Sequence, residues 1–262
     1  MDQEKSVKEY FEQDAKDYLD AYRKGVGDRG LPFQERENAV REMFPWQDAR
    51  VLDVGGGPGI FTGWLLDRGC EVFTLDIARE MMRLGEMTVH EHPKNRQSHF
   101  AVGSVESLPF VDNSFDAVLC VGLVEYVNDL ERALDELARV IPKGGGLIIT
   151  GPNQTSLISR VDRATAAVVN ALFGGLLVKM RGRKFFEYPF SHRLFEPPAF
   201  QRDLEKRGFK LVSKRYTNFR SGIIRGPLKG VAERLAVRLE KSLAGTGLET
   251  LGTNFIFKFD KT

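Results

Sequence analysis

Cysteine is nearly absent: Cys70 and Cys120 are the only two in 262 residues. Two thiols cannot build a disulfide framework or a typical zinc site, so the sequence predicts a reducing, cytoplasmic setting and no metal. The spacing of His90, His92 and His99 does not match a metal site either. Excess charge is missing too: 38 lysines and arginines face 36 aspartates and glutamates. Nucleic acid, which calls for a concentrated basic face, is therefore not an expected partner. No apolar run reaches the roughly 18 residues that a spanning helix requires. The first stretch, MDQEKSVKEYFEQDAKDY, lacks the apolar core of a signal peptide. Internal repeats and low-complexity tracts are absent. The length and ordinary composition suit one domain over 1–262 with local elaborations.

What is present has a clear rhythm. Ser6 to Arg23 has helical spacing, and Gln34 to Met43 reads as a second helix stopped near Pro45, so 1–46 form a helical N-terminal cap. From Arg50 short apolar strands (RVLDVG, EVFTLD, SHFAVG, FDAVLCVG, GLIITGPN) alternate with helices (GIFTGWLLDRG, AREMMRLGEM, DLERALDELARVI). That alternation predicts an α/β fold, a parallel sheet with helices on both faces. After Asn153 the rhythm breaks into a helical insertion over 155–190. A helix (EPPAFQRDLEKRGF), a strand (KLVSKRYTNF), an amphipathic helix (LKGVAERLAVRLEKSLAG) and a last strand (GTNFIFKFDK) follow, which suits antiparallel closure of the sheet.

The segment VLDVGGGPG carries Asp53, Gly55, Gly57 and Gly59, and EVFTLD ends on Asp76. Glycines let the backbone turn sharply and let a ligand approach closely. The helix after them, from about Ile60, points free N–H groups at the loop. An acid at the end of the second strand can accept hydrogen bonds from a ribose diol. The spacing is G-x-G-x-G, not the G-x-G-x-x-G of dinucleotide binders, and the P-loop lysine is missing.

VLDVGGGPG with TLD resembles the class I S-adenosylmethionine-dependent methyltransferases. LPF, SFDAV, ELARVIPKGG and PN, in that order, resemble the subgroup that includes ubiquinone, menaquinone and Mg-protoporphyrin methyltransferases, as do VKEYFEQDAKDYLDAY and SHRLFEPPAFQRDLEKRGFKLV. The similarity covers about 6–153 and 190–220. It implies a Rossmann-like, doubly wound, seven-stranded and mostly parallel sheet with an antiparallel closing strand. It also implies S-adenosylmethionine as cofactor, its methionine part at Gly55 and Gly57, and Asp53 orienting the loop. Asp76 would hold the ribose hydroxyls and Ile77 would pack on the adenine. Ser104 and Val105 would meet the adenine edge, with Ser104 where the family often has aspartate. Val121 would lie beside the sulfonium or in the core, and Tyr18, with Tyr22 one helical turn on, would cover the cofactor or dock the helix by its ring.

The acceptor side carries fewer signals. Tyr126 stands where many relatives have histidine, and reads as substrate contact or wall. Glu125 caps the next helix or faces the acceptor. His192, in YPFSHRLF, is the candidate general base, with a structural histidine as the alternative. AAVVNALFGGLLV, within the 155–190 lid, either lines a pocket for a lipophilic acceptor or packs on the core. The basic KMRGRK after it either meets an anionic membrane surface through 172–186 or is solvated. Methyl transfer to an O, C or N atom of a small lipophilic metabolite is the leading expectation. A non-catalytic scaffold of the same fold and a nicotinamide oxidoreductase are the alternatives.

Overall fold

The computed structural model describes residues 3–24, 27–181, 190–220, 235–236, 238–239, 242–243 and 245–262. Its strands are β1 (Arg50–Val54), β2 (Glu71–Asp76), β3 (Ser98–Val102), β4 (Ala117–Cys120), β5 (Gly146–Pro152), β6 (Phe209–Thr217) and β7 (Asn254–Lys261). They form one sheet in the order β3-β2-β1-β4-β5-β7-β6. β1 to β5 run parallel, and β7 inserts antiparallel between β5 and β6. The fold is Rossmann-like and doubly wound. Strand order reverses at β1 and β4, so a crevice opens beyond the carboxyl ends of those strands.

Burial explains why these segments become strands. Every residue of β4 and β5 is buried, as a strand covered by helices on both faces must be. The edge strands β3 and β6 carry exposed and half-buried positions, with β6 buried only toward its ends at Phe209, Tyr216 and Thr217. Alternate residues feed two cores. One holds Leu52, Val118, Leu134, Leu147 and Phe257. The other holds Val51, Leu65, Leu119, Ile148 and Ile256. The flanking helices are α1 (Gln3–Lys24), α2 (Gly27–Met43), α3 (Thr62–Asp67), α4 (Arg79–Val89), α5 (Leu130–Val140), α6 (Leu157–Arg181) and α7 (Pro197–Glu205). In α5, Asp129 caps the first turn by accepting from the Arg132 amide at 3.1 Å. Ala133, Leu134, Leu137, Ala138 and Val140 then form its buried stripe.

Three elements differ from the sequence reading. α2 begins at Gly27, not Gln34, and runs through Pro32. The proline removes one backbone donor, but Ala39 and Val40 are buried in the core and packing holds the helix. The described part of the insertion is one 25-residue helix, α6, where several helices were expected. Glu125 does not cap α5; Asp129 does, and the Asn128 and Asp129 amides donate to Glu106 at 2.7 and 3.1 Å. Residues 182–189, which include Arg183 and Lys184 of the basic run, and most of the expected amphipathic helix near 228–245 lie outside the described residues. Among the described residues no helix is long and apolar enough to cross a membrane.

Leu134 is fully buried between α5 and the sheet. Leu134→Ala is expected to destabilise the protein by about 2–5 kcal/mol, from lost transfer energy plus the cavity left behind. Urea unfolding measures it, and a loss under about 1 kcal/mol would show that this face is not the core.

Candidate functional site

The loop after β1 is built so that the backbone alone forms its surface. Gly55, Gly57 and Gly59 all have positive φ, at 67°, 53° and 69°. Gly56 is required for a different reason: a Cβ there would stand 2.6 Å from the Thr74 methyl and 2.7 Å from the Asp53 carboxyl. The Gly55 and Gly56 amides donate to the Leu75 carbonyl of β2 at 2.7 and 3.3 Å, and one side chain adds a further tie. Asp76 Oδ2 accepts from the Gly57 amide at 3.1 Å, and its Oδ1 accepts from the Ala78 amide at 2.9 Å. The Thr62 amide at the start of α3 is bonded to the Gly59 carbonyl at 3.1 Å. One of the N–H groups expected to be free at that helix start is therefore already engaged.

Three acids are held away from water. Burial pushes the Asp53 carboxyl up to about 7, and Asp76 nearby adds to the shift. Asp76 is raised to about 6 by burial, against its backbone hydrogen bonds, which favour the charged form. Glu125 is raised to about 7 by burial, partly offset by Arg36. Among the described residues, Asp53 Oδ2 and Glu125 Oε2 have no hydrogen-bond partner.

Of these acids, Asp76 borders a cleft that encloses about 840 Å³ of space, part of it open solvent. Its floor comes from the carboxyl ends of the strands: Gly55, Gly57, Asp76, Ile77, Ser104, Val105, Gly122 and Leu123. α1 and α2 supply the roof through Val7, Phe11, Tyr18, Phe33 and Arg36. Tyr18 and Tyr22 both pack on Phe33, with ring centroids 4.9 and 4.4 Å away. Arg36 lies over the Phe33 ring at 5.1 Å and donates to the Tyr22 hydroxyl at 2.6 Å. Its Nε–H is buried without a partner among the described residues. A Cβ on Gly122 would stand 2.6 Å from the Arg36 guanidinium, so glycine there makes room for the cation.

Two clasps hold α1 over the cleft. Ala78 cannot cap α4, so Glu12 does it from α1, accepting from the Arg79 and Glu80 amides at 2.7 and 2.9 Å. Gln3 donates to the Tyr126 carbonyl at 3.1 Å and accepts from the Ser191 amide at 3.1 Å.

The structure thus gathers Tyr18, Gly55, Gly57, Asp76, Ile77, Ser104, Val105 and Tyr126 around one cleft. Asp53 is buried beneath the loop and does not line it. Gly59 faces Phe100 and Gly85. Val121 packs in the core, and Gly122 and Leu123 take the wall in its place. His192 stands behind Tyr126, ring centroids 5.4 Å apart, and burial lowers its pKa, which favours the neutral ring. Sequence reading missed Arg36, Phe33, Phe11 and Leu123. Arg36 and Phe33 are three residues apart on a helix face, which was the available signal, but Phe33 fell before the expected helix start.

Residues 52–149 match the family described as a methyltransferase domain. The demethylmenaquinone methyltransferase of Renibacterium salmoninarum is 34% identical over 128 residues, 46% of this chain and 52% of that protein. The malonyl-[acyl-carrier protein] O-methyltransferase of Pseudescherichia vulneris is 34% identical over 120 residues, 46% of this chain and 45% of that protein. The chain thus spans about half the length of these curated relatives. Its fold also resembles the crystal structure of magnesium protoporphyrin IX methyltransferase from Synechocystis with bound SAH, at a TM-score of 0.65, 17% identity and full coverage of both chains.

The acids give a pH signature. Asp53 has a folded pKa of about 7 against an ordinary 3.8, so the folded state binds more protons across that window. Stability therefore falls as pH rises through the window, and the penalty is complete above about 7. Asp53→Asn is expected to flatten this fall in urea unfolding of the ligand-free protein. A slope unchanged by the substitution would place the proton uptake elsewhere.

Proposed function

From a chain that carries a methyltransferase domain over residues 52–149, we propose that it moves a methyl group from S-adenosylmethionine to a small, lipophilic acceptor. The observation that supports this reading best is Asp76. Its carboxylate borders the cleft and is fixed by two backbone amides, with lone pairs left over for the two hydroxyls of a ribose. The rest of the cleft fits the same molecule. Arg36 offers a partly unpaired cation for an amino-acid carboxylate. Ser104 carries a hydroxyl at the place read as the adenine edge, and the bare loop at Gly55 and Gly57 admits close approach.

When bound, S-adenosylmethionine supplies an electrophilic methyl group on a positively charged sulfur. The chain's own task is then to align reactants and exclude water, which can contribute roughly 7–11 kcal/mol. Phe11, Tyr18, Phe33 and Tyr126 present ring faces and edges to the cleft and keep it apolar. Aromatic faces also favour a cation over the neutral product. In this reading Tyr126 is the acceptor-side wall, and His192 packs against that ring as a neutral imidazole outside the cleft lining. The cleft lining joins aromatic rings and aliphatic side chains to Arg36 and the acids Glu4, Asp76 and Glu106, and its apolar part suits a lipophilic acceptor such as those in the relatives' names.

Calorimetry with S-adenosylhomocysteine, NAD and NADP tests the reading, followed by transfer of labelled methyl to a panel of quinones, phenols and lipids. Micromolar binding of the first alone is expected. Asp76→Ala should weaken it tenfold or more, in line with about 1.5–3 kcal/mol for hydrogen bonds to a charged group. Arg36→Gln should weaken it similarly but leave adenosine binding unchanged. NAD binding in place of S-adenosylhomocysteine, or unchanged affinity in Asp76→Ala, would overturn the assignment.

A further inference from the structure

α6 carries an apolar face that nothing in the described fold covers. Leu157, Val161, Val168 and Leu172 recur at spacings of four, seven and four and are 57%, 55%, 59% and 70% exposed. Such spacing puts them on one face. Ala164, Ala171 and Gly175 fall on the same face and are exposed as well. The stripe from 157 to 175 is about 27 Å long at 1.5 Å per residue. The opposite side fixes the helix. Asp162 and Ala166 are buried. Asn153 donates to the Thr250 and Gly252 carbonyls at 2.9 Å each, and Ser156 to the Leu251 carbonyl at 2.6 Å. The outward aim of Leu157 and Val161 is therefore set by the fold, and the later turns stand clear of it, with Phe173 on the far side 55% exposed as well.

The charges around the stripe are of one sign. Arg160 and Lys179 are exposed, and Arg163 is half-buried beside the Gln154 carbonyl, 3.3 Å away. The helix has a single acid, Asp162, and it is buried. We propose that α6 docks this face on an anionic lipid surface, with Leu157, Val161, Val168 and Leu172 entering the headgroup boundary and Arg160 and Lys179 meeting phosphates. An apolar face flanked by lysine and arginine is what an interfacial helix requires. A second copy fits less well. Pairing α6 with itself brings cations against cations, and the helix offers no exposed acid to neutralise them. α6 also leaves the carboxyl end of β5, and the cleft opens at the carboxyl ends of the neighbouring strands. The docked face thus belongs to the end of the sheet at which the cleft lies. The inference rests on α6 alone and not on the methyl-transfer reading.

The test is co-sedimentation of the full chain with vesicles of phosphatidylglycerol and phosphatidylcholine in equal parts, and with phosphatidylcholine alone. The wild type is expected to pellet with the first and far less with the second, and to be released by salt. Val168→Glu with Leu172→Glu should lower the partition coefficient by at least about tenfold, since apolar burial sets interfacial affinity. Circular dichroism and the thermal midpoint check that this variant folds. Arg160→Gln with Lys179→Gln, which leaves the apolar stripe intact, should lose the preference for anionic vesicles. Wild type left in the supernatant with both vesicles would overturn the proposal, as would equal partition of wild type and the glutamate variant. A dimer in sedimentation velocity that the glutamate substitutions break would assign the face to a second copy and overturn it too.

Discussion

The hydrogen bond from the Gly57 amide to the Asp76 carboxylate is the constraint on which the site depends. It adds a side-chain tie, one residue farther on, to the backbone bonds that the Gly55 and Gly56 amides make to the Leu75 carbonyl at 2.7 and 3.3 Å. On one side the loop must be glycine, because side chains at 56 or 57 would strike Asp53 or force an unfavourable backbone. On the other, the acid must be ionised to accept two amides and still offer lone pairs to a ligand. Without this tie the loop would be held to β2 at Gly55 and Gly56 alone, and the turn at Gly57 would lose its partner.

The tie is held in a setting that opposes it. Asp76 is raised to about 6 and Asp53 to about 7, mainly by burial. The only cation on the described cleft wall, Arg36, stands on α2 beside Tyr22 and Phe33. The acids at and beneath the cleft are thus ionised only against the cost of burial. A ligand carrying hydroxyls and a carboxylate would meet Asp76 and Arg36, the two of these groups that line the cleft, and stabilise the fold by binding it. Roof and floor are coupled in the same way: Glu12 from α1 caps α4, and α4 follows directly from the Asp76 turn.

Most of the sheet was legible in the chain because each strand announces itself locally. RVLDV, EVFTLD and GLIITGP are short apolar runs bounded by glycine or acid, and helices of regular period separate them. Asp76 and the glycines were legible for the same reason, since turn and acid lie in one contiguous segment. The roof was not. Arg36 and Phe33 reach the cleft only after α2 folds across the sheet, and glycines with Pro32 disguised the start of that helix. The step from Val121 to Gly122 and Leu123 as the wall is a matter of strand-end register, which periodicity does not fix. α6 showed its apolar content in sequence, but which side faced out depended on the buried Asp162 and the anchors at Asn153 and Ser156.

The central claim, that Asp76 joins the glycine loop to a ribose, is tested most directly by carboxyl carbon NMR of Asp76 against pH. In the free protein its midpoint should lie near 6. Saturating S-adenosylhomocysteine should move the midpoint down, because hydroxyl donors favour the charged form. A midpoint that stays in place while the ligand is bound would contradict the account.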